Sequence, residues 1–561
     1  MAGDICQPNS WSGGYRGMLH WAKLQSITQD TATRLEQALE RWTAALGAEH
    51  IIVDRTRLAA AETATFATTQ SVPAILRPAN TSQIQECLRI ANRFRIPVYP
   101  ISSGKNWGYG SSVPVGSSNV VLDLGRLNQI VYFSEELAYV TVEPGVTQGQ
   151  LYEFLQAGKS SLWLDATGAG PDCSLIGNVM ERGFGHTPYG AHFAQVCGFE
   201  VVLPTGEMAQ TGFARFPNSQ AAAVYKWGVG PTLDGLFSQS NLGIVTRMTI
   251  WLMPAPPYFQ AFFFQCGEDS QLAPLIEALR PLRLSGALRS TIHIANDYKV
   301  LSGLQQYPWQ ETGGTVPLQA DVMLQLRRRL KFGAWSASGG LYGTRRQVAE
   351  ARRIMRQALK GKVERLQFLD DRMLGLASRF AKPYQLLTGW DLRRTLELVR
   401  PVYGLLKGIP TGHPMASCYW RKKTPRPSQM NPDRDRCGLL WCAPVAPMEG
   451  EHVAKMVHLA RELLLGYGFE PGISLTLITE RSVCCVVSIS YDRDEPGQDE
   501  QAMACYKHLL GVLTEHGYYS YRLGIQAMSE ASGDDGSGGL LRMIKNAVDP
   551  NGVLAPGRYQ A

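Results

Sequence analysis

A glycine-spaced loop follows a short predicted strand near residue 100. In SSGKNWGYG, residues 102–110, Gly104, Gly108 and Gly110 let the backbone approach a ligand closely, because glycine adopts positive φ at no steric cost. Successive N–H groups in such a turn form a concave anion site that suits a pyrophosphate. Taken alone, the loop is explained equally well as an ordinary glycine-rich turn.

Two further glycine clusters favour the ligand-binding interpretation. One is DATGAGPDCSLIGNVMERGFGHTPYGAH, residues 165–192, and the other is GPTLDGLFSQSNLGIVT, residues 230–246. A long, glycine-dense, non-repetitive loop between ordered elements of a compact domain is expected to be functional. The chain has 56 glycines in 561 residues, more than the usual ~7%. Their clustering predicts a site where backbone lies against a dinucleotide.

Other classes of site find less support. The eleven cysteines include no C-x-x-C pair, which argues against a disulfide framework or a zinc site. His186 and His192 form H-x5-H, but no Cys or carboxylate completes a ligand set around them, so no metal is expected. Lys and Arg number 55 against 48 Asp and Glu, and this net charge of +7 is spread over the chain. A nucleic-acid protein would concentrate it on one face.

The chain carries no recognisable targeting segment. Its N-terminus, MAGDICQPNSWSGG, lacks the basic and apolar regions of a secretory signal. No apolar run approaches the ~18 residues of a membrane span. We therefore expect a cytoplasmic protein.

The elements that position the glycine clusters follow from hydrophobic spacing. Apolar residues at helical intervals predict helices over 30–46 and 81–93. RIPVYPIS predicts a buried strand, and alternation over 119–147 predicts two or three more, followed by a helix in TQGQLYEFLQAG. The clusters thus lie between strands and helices of one region, which PAPP at 254–257 ends.

The pattern changes after PAPP. Strands such as YFQAFFFQC and WSASGGLYG alternate with helices over 345–360 and 449–466, which resembles βαβ modules in a separate domain. The tail, 538–561, is again rich in glycine and proline. We predict a first domain over 1–256, completed by 520–561, and an inserted domain over 257–519.

Five motifs in order resemble the vanillyl-alcohol oxidase and p-cresol methylhydroxylase family of flavoproteins. They are PISSGKNWGYG, VEPGVT, IGNVMERGFGHTPYG, WGVGPTLDGLFSQSNLGIVT and NAVDPNGVLAPG. The resemblance implies an α+β fold: a two-part FAD-binding domain of the PCMH type, and an inserted cap or substrate domain with a large antiparallel sheet flanked by helices. It also implies FAD-dependent oxidation of para-substituted phenols, of the 4-alkylphenol or 4-hydroxybenzyl type.

The same resemblance assigns the site residues. For the cofactor it implies Ser102, Ser103, Gly104, Lys105, Asn106 and Trp107 at the pyrophosphate, with Pro144, Gly145, Ser174, Gly177, Asn178, His186, Gly190 and Ile244 along the rest. For the substrate it implies Tyr109, Tyr521 and Arg522 around the phenol oxygen. A phenol of pKa ~10 is a poor electron donor until it ionises, and a guanidinium with two hydroxyl donors favours the anion. Hydride loss from the para α-carbon to flavin N5 then leaves a quinone methide, which water converts to an alcohol.

Two departures from the family pattern concern the groups beside the flavin. His186 replaces the tyrosine of GYTPY, and Ala169 stands where the oxidases carry an aspartate near N5. We hypothesise that Asp172, the nearest carboxylate, serves as the base, or that the site works without one. Leu439 occupies the position of the flavin-bonding histidine, which leaves Tyr419 as the candidate for a covalent tyrosyl bond and non-covalent FAD as the alternative.

These departures favour the hydroxylase branch of the family, whose members pass electrons to a cytochrome c. The helix TRRQVAEARRIMRQALKGK carries Arg352, Arg356 and Lys360 on one stripe, which is either a solvated face or a docking surface for such a partner. An oxidase that uses oxygen and releases hydrogen peroxide is the alternative. A flavoprotein kept as a binding subunit without turnover is the rival from another class, and a homodimer is expected by similarity.

Overall fold

The first part of the computed structural model builds two small sheets and one antiparallel pair of short strands. The structure describes residues 14–380, 392–531 and 536–559. The elements in this part are α1 (Gly14–Leu46), β1 (Ile51–Ile52), α2 (Arg55–Ala61), β2 (Ile75–Leu76), α3 (Thr81–Phe94), β3 (Val98–Ile101), β4 (Val120–Asp123), β5 (Ile130–Ser134), β6 (Tyr139–Val142), α4 (Gln148–Ala157), β7 (Leu162–Trp163), α5 (Leu175–Met180), β8 (Val196–Val202), β9 (Met208–Gln210), α6 (Asp234–Phe237), β10 (Ile244–Trp251) and β11 (Met253–Pro254).

The two sheets carry the glycine clusters at their ends. The four-stranded sheet has the order β1-β2-β4-β3, and its β2, β4 and β3 run parallel. The five-stranded sheet, β5-β6-β10-β8-β9, is antiparallel. The C-terminal tail joins the first sheet, because Val98 exchanges backbone hydrogen bonds of 2.8 Å with Val553 and Ala555. Leu554 is fully buried in the same core as α3.

The second part is built on one large sheet. Its elements are β12 (Tyr258–Cys266), α7 (Leu272–Leu284), β13 (Ile292–Asn296), α8 (Asp297–Leu304), α9 (Ala320–Leu330), β14 (Trp335–Gly343), α10 (Arg345–Ala358), β15 (Arg365–Leu369), α11 (Asp371–Arg379), α12 (Leu392–Leu405), β16 (Cys437–Cys442), β17 (Val445–Pro447), α13 (Gly450–Gly466), β18 (Gly472–Leu477), β19 (Ser482–Asp492) and α14 (Gln498–Glu515). The C-terminal tail, which returns to the first part, adds α15 (Gly536–Val548).

This sheet is antiparallel throughout, in the order β15-β12-β14-β13-β18-β19-β16, with β17 paired to β19. The α+β fold with a large antiparallel sheet is thereby confirmed, and the βαβ interpretation of this part is wrong. Side chains alternate across the strands. On β13, Ile292 and Ile294 enter the helix-covered core, while His293 points to the opposite face, toward the glycine clusters.

Several local features refine the sequence analysis. The 165–192 segment contains α5, which Ser174 caps by accepting a hydrogen bond from the Gly177 N–H. Ten cysteines are described, and each is buried and free of disulfide bonds. Among the described helices, none is both long and apolar enough to cross a membrane. Within the same residues, no cluster of three or more His, Cys, Asp or Glu could hold a metal ion.

Candidate active site

A cavity of about 610 Å³ lies between the glycine clusters and the open face of the large sheet. Fifteen residues assigned from the sequence line it: Ser102, Ser103, Gly104, Lys105, Asn106, Trp107, Tyr109, Pro144, Ser174, Gly177, Asn178, His186, Ile244, Tyr521 and Arg522. Its size falls within the ~300–1,000 Å³ typical of ligand sites. The structure therefore brings residues from both ends of the chain into one enclosure.

The loop after β3 has the donors that an anion needs. Gly104 has φ +65°, and a Cβ added there would lie 2.2 Å from Ser112 Oγ, so glycine is required. Ser103 Oγ accepts a hydrogen bond of 3.1 Å from the Ser174 N–H, which ties the loop to α5. Across the described ranges, no hydrogen bond takes up the backbone N–H of residues 103–105. Unsatisfied donors on a cavity wall fit a pyrophosphate.

The three residues assigned to the phenol oxygen lie together at one corner of the cavity, which we call the phenolate corner (Tyr109, Tyr521 and Arg522). The Arg522 guanidinium carbon lies 4.3 Å from the centre of the Tyr109 ring. Arg522 Nε lies 3.2 Å from Glu181 Oε2, and another guanidinium nitrogen donates to Asn106 Oδ1. Arg522 is therefore fixed from two sides.

The two tyrosines of this corner keep their protons. Burial raises the pKa of Tyr109 well above its ordinary value, and the neighbouring Tyr521 raises it further, while Arg522 lowers it in part. Burial also raises the pKa of Tyr521, with a contribution from Cys484 that Arg522 again offsets only in part. At neutral pH both hydroxyls are hydrogen-bond donors, and Arg522 supplies the positive charge. This set suits a bound phenolate.

Two histidines with their rings in contact line the cavity beside this corner. The rings of His186 and His293 lie 4.2 Å apart, and His293 Nε2 is 3.1 Å from the Gly185 carbonyl oxygen. Burial lowers the pKa of His186 to about 3, with help from His293, and lowers that of His293 to about 4. Both rings are therefore neutral at pH 7. They provide polar atoms to the cavity without adding charge.

A buried carboxylate network holds His186 in place. Asp165 accepts hydrogen bonds from the backbone N–H of His186 (3.0 Å) and Thr187 (2.7 Å) and contacts His192 Nε2 at 3.0 Å. Burial raises the pKa of Asp165, but His192, His186 and the Thr187 hydroxyl together outweigh burial, and the pKa is lowered. The sequence analysis did not single out Asp165, since a lone aspartate after a strand carries no distinctive spacing.

Four assigned residues are not on the cavity wall, and each has a structural reason. Asp172 lies exposed in the turn before α5, off the cavity wall. The Tyr419 hydroxyl donates a hydrogen bond of 2.6 Å to Asp435 Oδ2, and the buried ring packs behind Trp107 and Trp441 of the wall. Gly145 and Gly190 are required by protein packing, because an added Cβ would lie 2.6 Å from the Gly125 carbonyl oxygen or 2.1 Å from Thr291 Oγ1.

The cavity residues that were not predicted from the sequence include Glu181, His293, Lys299, His413 and Trp441. Four of them belong to the second part of the chain, where no motif indicated a site. Glu181 stands inside a recognised motif, but its role depends on the tail. It pairs with Arg558 as well as Arg522, and accepts a hydrogen bond of 3.1 Å from the Tyr559 hydroxyl. Only the folded chain brings these groups together.

Comparison with known proteins agrees with this geometry. Residues 72–212 match the FAD binding domain family. The chain is 45% identical to 1'-carboxy-chondrochloren decarboxylase of Chondromyces crocatus, covering 94% of this chain and 97% of that one. It is 31% identical to the flavoprotein subunit of 4-cresol dehydrogenase (hydroxylating) of Pseudomonas putida, covering 94% and 96%. The solved 4-ethylphenol oxidase of Gulosibacter chungangensis, in complex with isoeugenol, superposes with a TM-score of 0.85 at 28% identity, covering 94% and 97%.

Proposed function

The chain belongs to the vanillyl-alcohol oxidase and p-cresol methylhydroxylase family of FAD-dependent oxidoreductases, and from that premise we propose that it oxidises para-substituted phenols at the para α-carbon. The observation that carries the proposal is the phenolate corner, where Arg522 and two protonated tyrosines face the cavity. Few ligands other than a phenolate need one cation and two hydroxyl donors at a single oxygen.

We further propose a separate role for each of the two domains. Residues 1–256 with 520–561 hold the FAD, and 257–519 form the cap over the substrate. Ser103, Gly104 and Lys105 bind the pyrophosphate through their free N–H groups, and the positive end of α5 faces the same loop. FAD, when bound, supplies a two-electron acceptor that takes a hydride at N5.

The residues of the phenolate corner prepare the substrate for this oxidation. Arg522 lowers the pKa of a bound phenol, because an adjacent cation stabilises the anion inside a poorly solvated cavity. Tyr109 and Tyr521 donate hydrogen bonds to the same oxygen. The oxygen's electron density makes the para α-carbon a hydride donor, and the oxidised substrate is a quinone methide. Glu181 stays paired with Arg522 and Arg558, so it does not neutralise the corner by itself.

The fate of the quinone methide decides the product. Addition of water at the α-carbon gives an alcohol. A second candidate reaction is loss of CO2 from a carboxylate on the β-carbon, which the name of the decarboxylase at 45% identity supports. In that case the electrons of the C–CO2⁻ bond form the αβ double bond, and the ring returns to an aromatic phenolate. The products are one alkenyl phenolate and CO2, which together contain all atoms of the quinone methide. The only electrons lost overall are the two removed in the hydride transfer.

The electron acceptor is proposed to be a cytochrome c, with oxygen as the alternative. Arg356 is exposed on α10 and Arg352 is half-buried beside it, which leaves a positive face for an acidic partner. Charge reversal of both arginines should slow cytochrome reduction and leave flavin reduction unchanged. Equal rates would remove the docking role, and rapid formation of hydrogen peroxide would favour the oxidase.

Product analysis tests the proposed chemistry. The FAD-loaded protein is incubated with 4-ethylphenol or with 3-(4-hydroxyphenyl)propanoate and an artificial electron acceptor in water labelled with ¹⁸O. Hydration predicts a labelled benzylic alcohol from the first compound, whereas decarboxylation predicts 4-vinylphenol and CO2 from the second. Absence of any oxidised product from both compounds would overturn the proposal.

A further inference from the structure

Lys299 is a half-buried cation that the proposed chemistry does not yet use. It lies on α8, lines the cavity, and its Nζ donates a hydrogen bond of 3.2 Å to Ser417 Oγ. Ser417 gives its own proton to the Pro414 carbonyl oxygen at 2.9 Å, so two of the three lysine N–H groups remain for another acceptor. No ion pair within the described ranges involves Lys299.

The charges around the cavity leave this lysine without a counter-ion. Glu181 is the only carboxylate on the cavity wall as the structure describes it, and it is committed to Arg522 and Arg558. Lys299 instead lies over the face of Trp441, with Nζ 5.2 Å from the ring centre. An ammonium whose neighbours are a hydroxyl, an indole ring and the Cys418 thiol has no full counter-charge. Burial lowers the pKa of Lys299, and Cys418 offsets this only in part. An anionic ligand would supply the counter-charge.

The position of Lys299 indicates which ligand. The Trp441 ring contacts Lys299 on one side and lies 6.4 Å, centre to centre, from Tyr109 of the phenolate corner. The Trp441 indole therefore lies between Lys299 and the Tyr109 ring of the phenolate corner, so a phenol bound at that corner would direct its para side chain along the same wall toward Lys299. We infer that Lys299 binds a carboxylate on the para side chain of the substrate, while the phenolate corner binds its oxygen.

This inference rests on the proposed phenol oxidation and narrows it to a substrate class: 4-hydroxyphenyl compounds with an anionic side chain. In the decarboxylation route, the same contact would hold the carboxylate before it leaves as CO2. Lys299 takes no part in bond breaking here. It is a residue that determines specificity, and its removal should discriminate between charged and neutral ligands.

Binding to ligands that cannot be oxidised tests the inference separately from turnover. 4-Hydroxyphenoxyacetate has an ether oxygen in place of the benzylic carbon, and 4-hydroxyphenoxyacetamide is its neutral match. Calorimetry with the FAD-loaded protein should show tighter binding of the acetate. Lys299→Met should weaken acetate binding about 10- to 100-fold, the range of a hydrogen bond to a charged group. The same substitution should change the affinity for the amide by less than about threefold.

Matched variants and outcomes complete the test. Lys455→Met, at an exposed site on α13, should change neither affinity, and Lys299→Arg should keep the preference for the acetate. Equal weakening of both ligands, or no change in either, would overturn the inference. So would loss of FAD from Lys299→Met with the preference intact, since Lys299 would then serve the cofactor. If that variant does not fold, a wild-type protein that binds both ligands equally is sufficient to overturn it.

The two proposals fail in different ways. If Lys299 is required for binding of the acetate but 3-(4-hydroxyphenyl)propanoate does not reduce the flavin, the anion site is supported and the proposed oxidation is contradicted. If 4-ethylphenol reduces the flavin but the protein does not prefer the acetate, the oxidation is supported and the anion site is contradicted.

Discussion

Arg522 does more in this cavity than its charge alone suggests. Its guanidinium is held by Glu181 and Asn106 and stacks on Tyr109. Holding the side chain in place before the substrate arrives lowers the entropy lost on binding. The planar fork also allows two donors to act at once, which a lysine cannot reproduce.

Removal of this cation should abolish substrate activation. Arg522→Met is expected to lower the rate constant of flavin reduction by a para-alkylphenol at least 100-fold, because truncating a buried charged partner costs about 3 kcal/mol or more. Anaerobic stopped-flow absorbance measures the rate. The Lys455→Met protein should match wild type. A rate for Arg522→Met within threefold of wild type would contradict the assigned role.

The pKa values of His186 and His293 predict how the free energy of unfolding depends on pH. Their folded pKa values, about 3 for His186 and about 4 for His293, lie below the ordinary 6.5. Between these pH values the two imidazoles bind protons in the unfolded chain but stay neutral in the folded chain. The free energy of unfolding therefore falls as the pH drops from about 6.5 toward 4. Each histidine contributes up to about 1.4 kcal/mol per pH unit.

Urea titrations at several pH values measure this dependence. His186→Gln should give a shallower decline between pH 6.5 and 4.5 than wild type. The control His458→Gln, at an exposed site on α13, should follow wild type. Parallel curves for wild type and His186→Gln would show that His186 is already free to ionise in the folded protein.

At the scale of elements, hydrophobic spacing along the chain predicted the longer strands and helices but not how the strands pair. Alternation predicted two or three strands in 119–147, and the structure has β4, β5 and β6 there. The helix α5 was missed because it has only six residues inside a glycine-rich segment, where periodicity is too short to detect. The βαβ interpretation of the second part is wrong, whereas the large antiparallel sheet implied by the family resemblance is confirmed. Alternating strands and helices do not by themselves specify whether two strands pair parallel or antiparallel.

The loop after β3 makes a testable claim about glycine. Gly104→Ala places a side chain at φ +65° and within 2.2 Å of Ser112 Oγ. We expect the apparent dissociation constant for FAD to rise tenfold or more. Gly497→Ala is the matched control, because its φ is +79° with open space around the added Cβ.

Both variants should lose about 1–2 kcal/mol of stability from the positive φ. Only Gly104→Ala should lose affinity for FAD, as followed by fluorescence of the released flavin. Equal FAD retention in the two proteins would mean that the loop does not approach the cofactor.

At the scale of the whole molecule, the site is assembled from residues that are remote in sequence. Asn106 and Arg522 meet across most of the chain, and Lys299 reaches the same cavity from α8. Motifs with fixed spacing made the first two recognisable in the sequence. Lys299 and Trp441 follow no motif, and only the packing of the large sheet against the glycine clusters brings them to the site.

The global arrangement also bears on how FAD is held. Tyr419 and Leu439 are both buried and absent from the cavity wall, so we expect neither to bond to the flavin. We expect acid precipitation to leave a yellow supernatant and a colourless pellet. Flavin that stays with the pellet would contradict non-covalent binding and point to another cavity residue, which peptide mapping would identify.

The central claim is that a bound phenolate is oxidised at the para α-carbon. Anaerobic mixing of the FAD-loaded protein with 4-ethylphenol, and separately with its methyl ether, tests it most directly. The ether has the same α-carbon but cannot ionise, so the account predicts bleaching of the flavin by the phenol and no bleaching by the ether. Equal bleaching by both compounds, or none by any para-substituted phenol, would contradict the account.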